Sequence, residues 1–337
     1  MILCAGMGTR LRPLSDRWPK AAIPLLGRPL FRFGVELFQR AGVTALAINT
    51  HHLAEIMKTV ASAECARAGL PLQIAYEPTI QGTAGGIRGM RQLLKDDHFA
   101  VLNGDVLFSV DLARVAQAHL HSGASATMVL MPMPVGDRYA AVEADSAARV
   151  RRIAGRGPGG AALRQWHFTG LHLMSPAVFD FMSAEGPEDI NGDVYPRMLD
   201  KGLTIRAEIA QEYWSDLGTP ARYLHTHLDL LAGRAPDILS GPAFSGMVQR
   251  EGELWLRRGA RARGAQISGP VFFDEASVVE RGATVGPEVY LGPRARVRSG
   301  ARLKRTVVLE DTEILSEEDL ADTVAWGGLR IPAAQKK

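Results

Sequence analysis

Through the first two-thirds of the chain, short apolar runs alternate with segments whose apolar residues recur every three or four positions. "ALAINT" (45–50), "LQIAYE" (72–77), "FAVLNGDVLF" (99–108) and "SATMVLMPM" (125–133) have the β-branched and apolar content of buried strands. "PLFRFGVELFQRAG" (29–42) and "DLARVAQAHLHSG" (111–123) carry helical spacing and end in glycine, which readily takes the left-handed conformation that closes a helix. Strand–helix–strand alternation predicts an α/β fold: a mostly parallel sheet covered by helices on both faces, with ligands in the loops at the strands' carboxyl ends.

Near residue 232 the texture changes. "AGRAPDILSGPAFSG" (232–246) is rich in Gly, Pro and Ser and predicts a linker, so the chain divides into residues 1–232 and residues 233–337. Beyond the linker, Ile267, Phe273, Val279, Val285, Leu291, Val297, Leu303 and Leu309 recur at a spacing of six. Two positions before each stands a small or β-branched residue, from Ala265 and Val271 to Ala301 and Val307. A period of six fits neither an α-helix nor a long strand. It fits a parallel β-helix in which each six-residue unit forms one side of a coil and its apolar residue points to the axis. A β-meander with chance spacing is the competing reading, and the repeated match at both positions disfavours it. Counted in coils of eighteen, the repeat predicts fewer than three full turns, with "DTVAWGGLRIP" (322–332) capping the open end.

Composition narrows the classes. Hydrophobic content of 46% with 22% charged residues is that of an ordinary globular protein, and 337 residues favour two domains over one. The 39 Lys and Arg nearly balance 36 Asp and Glu, and no long basic tract exists, so nucleic acid is not an expected partner. Two cysteines, Cys4 and Cys65, cannot build a disulfide framework. No uninterrupted apolar stretch reaches membrane-spanning length, and no signal segment opens the chain, so a cytoplasmic protein without a membrane partner is expected.

Chemistry gathers at the start. "MILCAGMGTRLRPLSDRWPK" sets Gly6 and Gly8 after an apolar run, followed by Arg10 and Lys20. Glycines there let the backbone approach a phosphate and turn N–H groups inward, while the cations add fixed positive charge. The Walker spacing is absent, so this is not a P-loop. Asp105, in "VLNGDVLF", reads either as a plain N-G-D turn or as a strand-end carboxylate for Mg²⁺. Asp216, in "EYWSDLGTP", reads either as a cap before "ARYLHTHLDLL" or as a second such carboxylate. The nine histidines show no metal spacing, so structural or surface roles are expected for all of them. Arginines 294, 296, 298 and 302, with Lys304 and Arg305, predict a solvated outer face on the coil.

Taken together, these stretches resemble the sugar-1-phosphate nucleotidyltransferases. "LCAGMGTRLRPLSDRWPKAAIPLLGRPL" (3–30) carries the likeness, and "EPTIQGTAGGI" (77–87), "VLNGDVLF" (101–108), "FTGLHLMSP" (168–176), "DVYPRML" (193–199) and "WSDLGTP" (214–220) follow in the family's order. The resemblance covers about residues 1 to 230. It implies a Rossmann-like sheet followed, as in several members, by a left-handed parallel β-helix, and subunit pairing through that β-helix.

The resemblance also implies roles. Leu3, Ala5, Gly6, Gly8, Thr9, Gln81, Gly82, Thr83, Asn103 and Gly104 would bind a nucleoside triphosphate, and Arg10 and Lys20 would act on its phosphates. Asp105 and Asp216 would hold Mg²⁺, and Thr169 and Gly170 would face the sugar of a sugar 1-phosphate. One departure stands out: where the family carries a Glu-Lys-Pro stretch, this chain has "RIAGRGPGGAALRQW" (152–166), in which "GRGPGG" reads either as a mobile surface loop or as a binding loop with Arg156 as the candidate for the sugar phosphate. Family members also carry a few more residues before the first strand, so either that strand is short here or the start lies upstream of Met1. The "GTAGG" loop and the β-helix lean toward mannose-1-phosphate guanylyltransferase-like members. Uridylyl or thymidylyl transfer to glucose 1-phosphate, an inactive regulatory homologue, and a bifunctional acyl-transferring enzyme are the alternatives.

Overall fold

The computed structural model describes residues 1–134, 136, 139–241, 248–250 and 253–333. By their contacts the residues form two units: 1–7, 18–21 and 34–214 in the first, and 8–17, 22–33 and 215–337 in the second. The contact division falls between Trp214 and Ser215, eighteen residues before the composition change at 232/233. Of the linker stretch 232–246, residues 242–246 lie outside the described residues, and the rest includes a short helix, Pro236–Leu239.

The first unit is a mixed sheet with flanking helices. Strands Leu72–Tyr76, Leu46–Thr50, Ile2–Leu3 and Phe99–Asn103 run parallel in that order, which places the brief opening strand at the centre. Arg164–Met174 then pairs antiparallel with Phe99–Asn103 and with Ala126–Met131, and Ile205–Ile209 closes that edge parallel to Ala126–Met131. The continuous apolar runs seen in the sequence follow from burial on both faces: Leu46, Ala47 and Ile48 are buried, as are Met128, Val129 and Leu130. Helix Leu112–Ser122 begins where the Asp111 carboxylate accepts from Arg114 N at 3.0 Å, and it ends at Gly123 in the left-handed region.

The second unit contains the coil. Its strands stack in parallel along three sides: Leu254–Leu256 under Val271–Phe273 and Val289–Leu291, Arg261–Ala262 under Val278–Val279 and Arg296–Val297, and Gln266–Ile267 under Thr284–Val285. Successive turns begin at Leu254, Val271, Val289 and Thr306, which makes four turns rather than fewer than three, because the coil starts before the first clear hexapeptide match.

Within the run counted from sequence, 267–309, the six-residue spacing slips once. Val271 pairs with Val289, eighteen residues on, but Val289 pairs with Thr306, seventeen on. The residue is lost at Lys304–Arg305, where Arg305 takes φ 48°. Val308 therefore joins the coil's core in place of Leu309, the position counted from sequence; Leu309 and Val307 are buried outside that core cluster. The hairpin Asp319–Trp326 and Leu329–Pro332 is antiparallel and ends the parallel stack, as expected of the tail. Outside, the arginines form ladders between turns, Arg294 to Asp311 and Arg298 to Glu280 and Glu313. Such exposed pairs are screened by solvent and contribute little to stability.

Candidate active site

Parallel pairing decides what meets in the first unit. Because Ile2–Leu3 lies between Leu46–Thr50 and Phe99–Asn103 in matched register, Cys4–Gly6 and Asn103–Asp105 leave the sheet side by side, next to Asn49. Gly104 N donates to Leu3 O at 2.9 Å, tying the two exits together. The backbone at Gly6 is open, with nothing within 4 Å of where a Cβ would stand. Lys20 Nζ forms an ion pair with Asp105 Oδ2, and both side chains are largely shielded from solvent.

Two buried residues that the sequence did not single out hold this rim. Asn49 Oδ1 accepts from Cys4 N at 2.9 Å, and its Nδ2 donates to Glu77 Oε1 at 2.8 Å. Glu77 Oε2 accepts from Gln81 N at 3.0 Å. One amide and one carboxylate thus lock the opening loop to the start of the "QGTAGG" segment. Their only sequence signal is position, since Asn49 is the last residue but one, and Glu77 the last, of a predicted strand.

Beyond Gln81, the segment rests on Glu188. Glu188 O accepts from Ala84 N at 3.0 Å, and Glu188 N donates to Gln81 O at 2.8 Å, so Gly82 and Thr83 are bracketed. The Thr83 hydroxyl donates to Asp189 Oδ2 at 2.8 Å and accepts from Ile190 N at 2.7 Å, which commits it to the fold. The buried Glu188 carboxylate accepts from Arg197 and from Ser183 N and Oγ, with Arg88 at 3.6 Å. Burial alone would raise its pKa, but hydrogen bonds from Arg197 and Ser183 hold it below the usual value.

Arg156, the proposed substitute for the missing lysine, donates to Gly192 O at 2.5 Å and stands 3.7 Å from Asp193. It is exposed there, against the turn Ile190–Val194.

Thr169 and Gly170 lie in the long strand Arg164–Met174. The Thr169 side chain is fully buried and donates to Val129 O at 2.8 Å, so its hydroxyl serves the sheet. What Thr169 offers is its carbonyl, which accepts from Trp214 Nε1 at 2.7 Å. Around that point Tyr139, His167 and Trp214 pack their rings, with centroids 4.0 Å and 4.6 Å apart in sequence. Asn103 lies directly on Gly170: a Cβ there would be 2.9 Å from Asn103 Nδ2, and the backbone holds φ +87°. A larger residue at 170 would displace the asparagine.

The remaining residues singled out from sequence, Gly8, Thr9, Arg10 and Asp216, belong to the second unit. Gly8 takes φ 63° and opens the turn Thr9–Leu11, and its carbonyl accepts from Ser15 Oγ at 2.8 Å. Asp216 does not cap the helix Pro220–Leu231, where Thr219 accepts from Arg222 N, but it does cap the turn before it, its Oδ1 accepting from Gly218 N at 3.4 Å. The Asp216 carboxylate also takes Arg222 Nη1 on both oxygens, at 2.7 and 2.6 Å. Arg10 converges on the same spot, with Asp216 Oδ1 and Arg10 Nη2 lying 3.4 and 3.6 Å from where a Gly218 Cβ would stand.

The histidines behave as structural groups. Burial pushes His119 down to about 4, His172 to about 3 and His227 to about 4, so each is neutral near pH 7. Each is hydrogen-bonded within the fold, to Thr127, Tyr195 and Tyr223 O respectively. Cys4 and Cys65 are free and buried; burial raises both thiols, Cys65 to about 11. Among the described residues no helix is long and apolar enough to cross a membrane.

The profile described as Nucleotidyl transferase matches residues 1–233. The chain belongs to that family. It is 27% identical over 342 residues to a UTP–glucose-1-phosphate uridylyltransferase from Synechocystis, covering 97% of this chain and 87% of that protein. It is 27% identical to the mannose-1-phosphate guanylyltransferase catalytic subunit beta of Danio rerio, covering 97% and 85%. With the mannose-1-phosphate guanyltransferase beta-B of Xenopus laevis it shares 29% over 256 residues, 74% of this chain and 70% of that one. The crystal structure of HddC from Yersinia pseudotuberculosis superposes with a TM-score of 0.55 at 20% identity, over 66% of this chain and 95% of that one. The shared fold and the family profile bear out the resemblance drawn from the spaced motifs.

Proposed function

We propose that the protein transfers a nucleotidyl group from a nucleoside triphosphate to a sugar 1-phosphate. The observation that carries this reading is the Lys20–Asp105 pair, set at the strand exits beside Cys4–Gly6 and Asn103 in a nucleotidyl transferase. A sugar 1-phosphate oxygen attacks the α-phosphorus, a new P–O bond forms, and the bond to the β-phosphoryl oxygen breaks with release of pyrophosphate. The nucleophile is already anionic near neutral pH, so no strong general base is required. What the residues must do is align two polyanions and offset their repulsion.

In this reading the backbone of Leu3, Ala5, Gly6, Gly8 and Thr9 receives the nucleotide, with Gln81–Thr83, Asn103 and Gly104 lining its base side. Arg10 and Lys20 neutralise the triphosphate. Gly170, the Thr169 carbonyl and the Tyr139–His167–Trp214 rings form the sugar side, and Arg156 takes the sugar phosphate. The donors fit Mg²⁺ in kind: Asp105 and Asp216 are hard oxygen ligands, each now balanced by a cationic side chain, Lys20 or Arg222. Among the described residues no group of three or more His, Cys, Asp or Glu gathers, which suits a cation that uses one or two carboxylates and completes its shell with water and phosphate oxygens. Mg²⁺ bound there would supply Lewis-acid neutralisation of the phosphate oxygens.

Guanylyl transfer to mannose 1-phosphate is the favoured pair, supported by the "GTAGG" loop, the coil and the relatives of that name. The Synechocystis relative favours a second reading, uridylyl transfer to glucose 1-phosphate. Each nucleoside triphosphate assayed against several sugar 1-phosphates, scored by pyrophosphate released, separates them. GTP with mannose 1-phosphate is expected to give the highest kcat/KM; a higher value for UTP with glucose 1-phosphate selects the second reading. The same proposal takes residues 1–232 as the catalytic domain, places the protein in the cytoplasm, and has subunits pairing through the coil.

Asn49 supplies a further check. Asn49→Ala removes the hydrogen bonds to Cys4 N and Glu77, a loss of about 2 kcal/mol in a buried network. The KM for the triphosphate is expected to rise by roughly thirtyfold, with the KM for the sugar 1-phosphate unchanged. Equal increases in both would mean that Asn49 does not act on the nucleotide rim.

A further inference from the structure

Four residues after Lys20 the chain makes a tight hairpin, Pro24–Leu25 against Arg28–Pro29, turning through Leu26 at φ 44° and Gly27 at φ +75°. A left-handed leucine is costly on its own and persists only where neighbours impose it. Here they do, all within the second unit. Leu26 N donates to His227 Nε2 at 3.2 Å, while the His227 Nδ1 proton goes to Tyr223 O at 3.0 Å. The neutral ring that burial enforces is the tautomer this arrangement needs. Tyr223 Oη donates to Pro24 O, on the incoming arm of the hairpin.

The coil holds the tip itself. Gly27 lies so close to Asp274 that an added Cβ would stand 2.0 Å from its Oδ2 and 2.8 Å from Tyr290 Oη. Tyr290 Oη donates to Asp274 Oδ2 at 2.9 Å, and Arg257 Nε lies 3.3 Å from Oδ1. His227, Tyr223, Tyr290 and Asp274 are all buried. A buried carboxylate needs partners, and Asp274 finds them in the coil: Tyr290, Arg257 and Glu275 N, which donates to Oδ1 at 2.7 Å, fix the carboxylate where it meets the hairpin tip.

We infer that Asp274, Tyr290 and His227 are positioning residues for the transfer reaction: the coil and the helix Pro220–Leu231 clamp residues 24–27, and through the three-residue tether Ala21–Ile23 they restrict where Lys20 can be placed. The coil is therefore a working part of the catalytic apparatus, in addition to any part it takes in subunit pairing. The inference rests on the catalytic reading of Lys20, and the variants distinguish the two. If Lys20→Ala retains turnover, the catalytic reading itself fails. If Lys20→Ala loses turnover and the clamp variants do not, only the clamp fails.

Tyr290→Phe and Asp274→Asn in the full chain test it, since each alters one contact with little change of volume. Both are expected to lower kcat about tenfold, leave the KM for sugar 1-phosphate within twofold, and speed amide hydrogen exchange over residues 23–27 in protein that remains folded. A loss of rate only in proportion to unfolded protein, or faster exchange with unchanged kcat, would overturn the inference. A double-mutant cycle adds an independent readout. Gly27→Ala drives a methyl into Asp274 and is expected to cost at least tenfold in kcat; in the Asp274→Ala background the same change is expected to cost less than threefold. Equal losses in both backgrounds would show that Asp274 does not act on the hairpin.

Discussion

Lys20→Ala lowers kcat by roughly 10²–10³-fold, the scale of removing one preorganised donor from a developing anion. The protein stays folded. The Lys20–Asp105 pair is still partly wetted, at 14% and 30% side-chain exposure, so it contributes no more than about 1 kcal/mol to stability. A thousandfold rate loss corresponds to about 4 kcal/mol in the transition state. That gap separates a catalytic from a structural role. Asp105→Asn is nearly isosteric and keeps an acceptor for Lys20 but loses the charge; it is expected to lose turnover to a similar degree and to need more Mg²⁺ for half-maximal rate. Steady-state kinetics with thermal unfolding of each variant checks both. Near-wild-type kcat in either would remove that residue from the mechanism.

Glu188→Ala has the largest expected effect on stability. It leaves the Arg197 guanidinium and Ser183 N without their acceptor and removes the partner beside Arg88. Breaking a buried pair from one side costs about 3–5 kcal/mol. The thermal midpoint is expected to fall by roughly 6–15 °C. The sign with pH follows from the depressed pKa: the contribution is fully present above the unfolded value near 4.5 and is lost as pH falls through the lower folded value. The difference in stability between wild type and Glu188→Ala should therefore begin to shrink once pH falls below about 4.5, measured by urea unfolding across pH. A constant difference down to pH 3 would assign the effect to packing instead.

How much of this was legible in the sequence depended on whether a signal was local. Most strands and helices of the first unit lay close to their predicted bounds because apolar run length and glycine stops are local features; the exception is 99–108, read as one strand, which the turn at Gly104–Asp105 divides into Phe99–Asn103 and Val106–Phe108. The central place of Ile2–Leu3 was readable only through the loop that follows it, since two residues carry no periodicity. The coil was legible from its period of six, but the slip at Arg305 was not: Val307 and Leu309 are apolar and buried, so they satisfied the count from the wrong side of the backbone. Side-chain partners were least legible. Thr83 and Thr169 match the motifs, yet their hydroxyls are consumed by Asp189 and Val129 O. Asn49, Glu77, Glu188 and Asp274 act across 28 or more positions of sequence or through a fold-dependent approach, and nothing adjacent to them in the chain announces it.

The central claim is transfer of the α-phosphoryl nucleotide unit to a sugar 1-phosphate. The most direct measurement incubates purified full-length protein, Mg²⁺, α-³²P-labelled GTP and mannose 1-phosphate, and follows both products. Label is expected to appear in a nucleoside diphosphate sugar in one-to-one ratio with pyrophosphate, only when sugar 1-phosphate is present, and not with Lys20→Ala. Absence of a labelled nucleotide sugar with every nucleoside triphosphate and sugar 1-phosphate pair would contradict the account and leave a folded homologue without this activity.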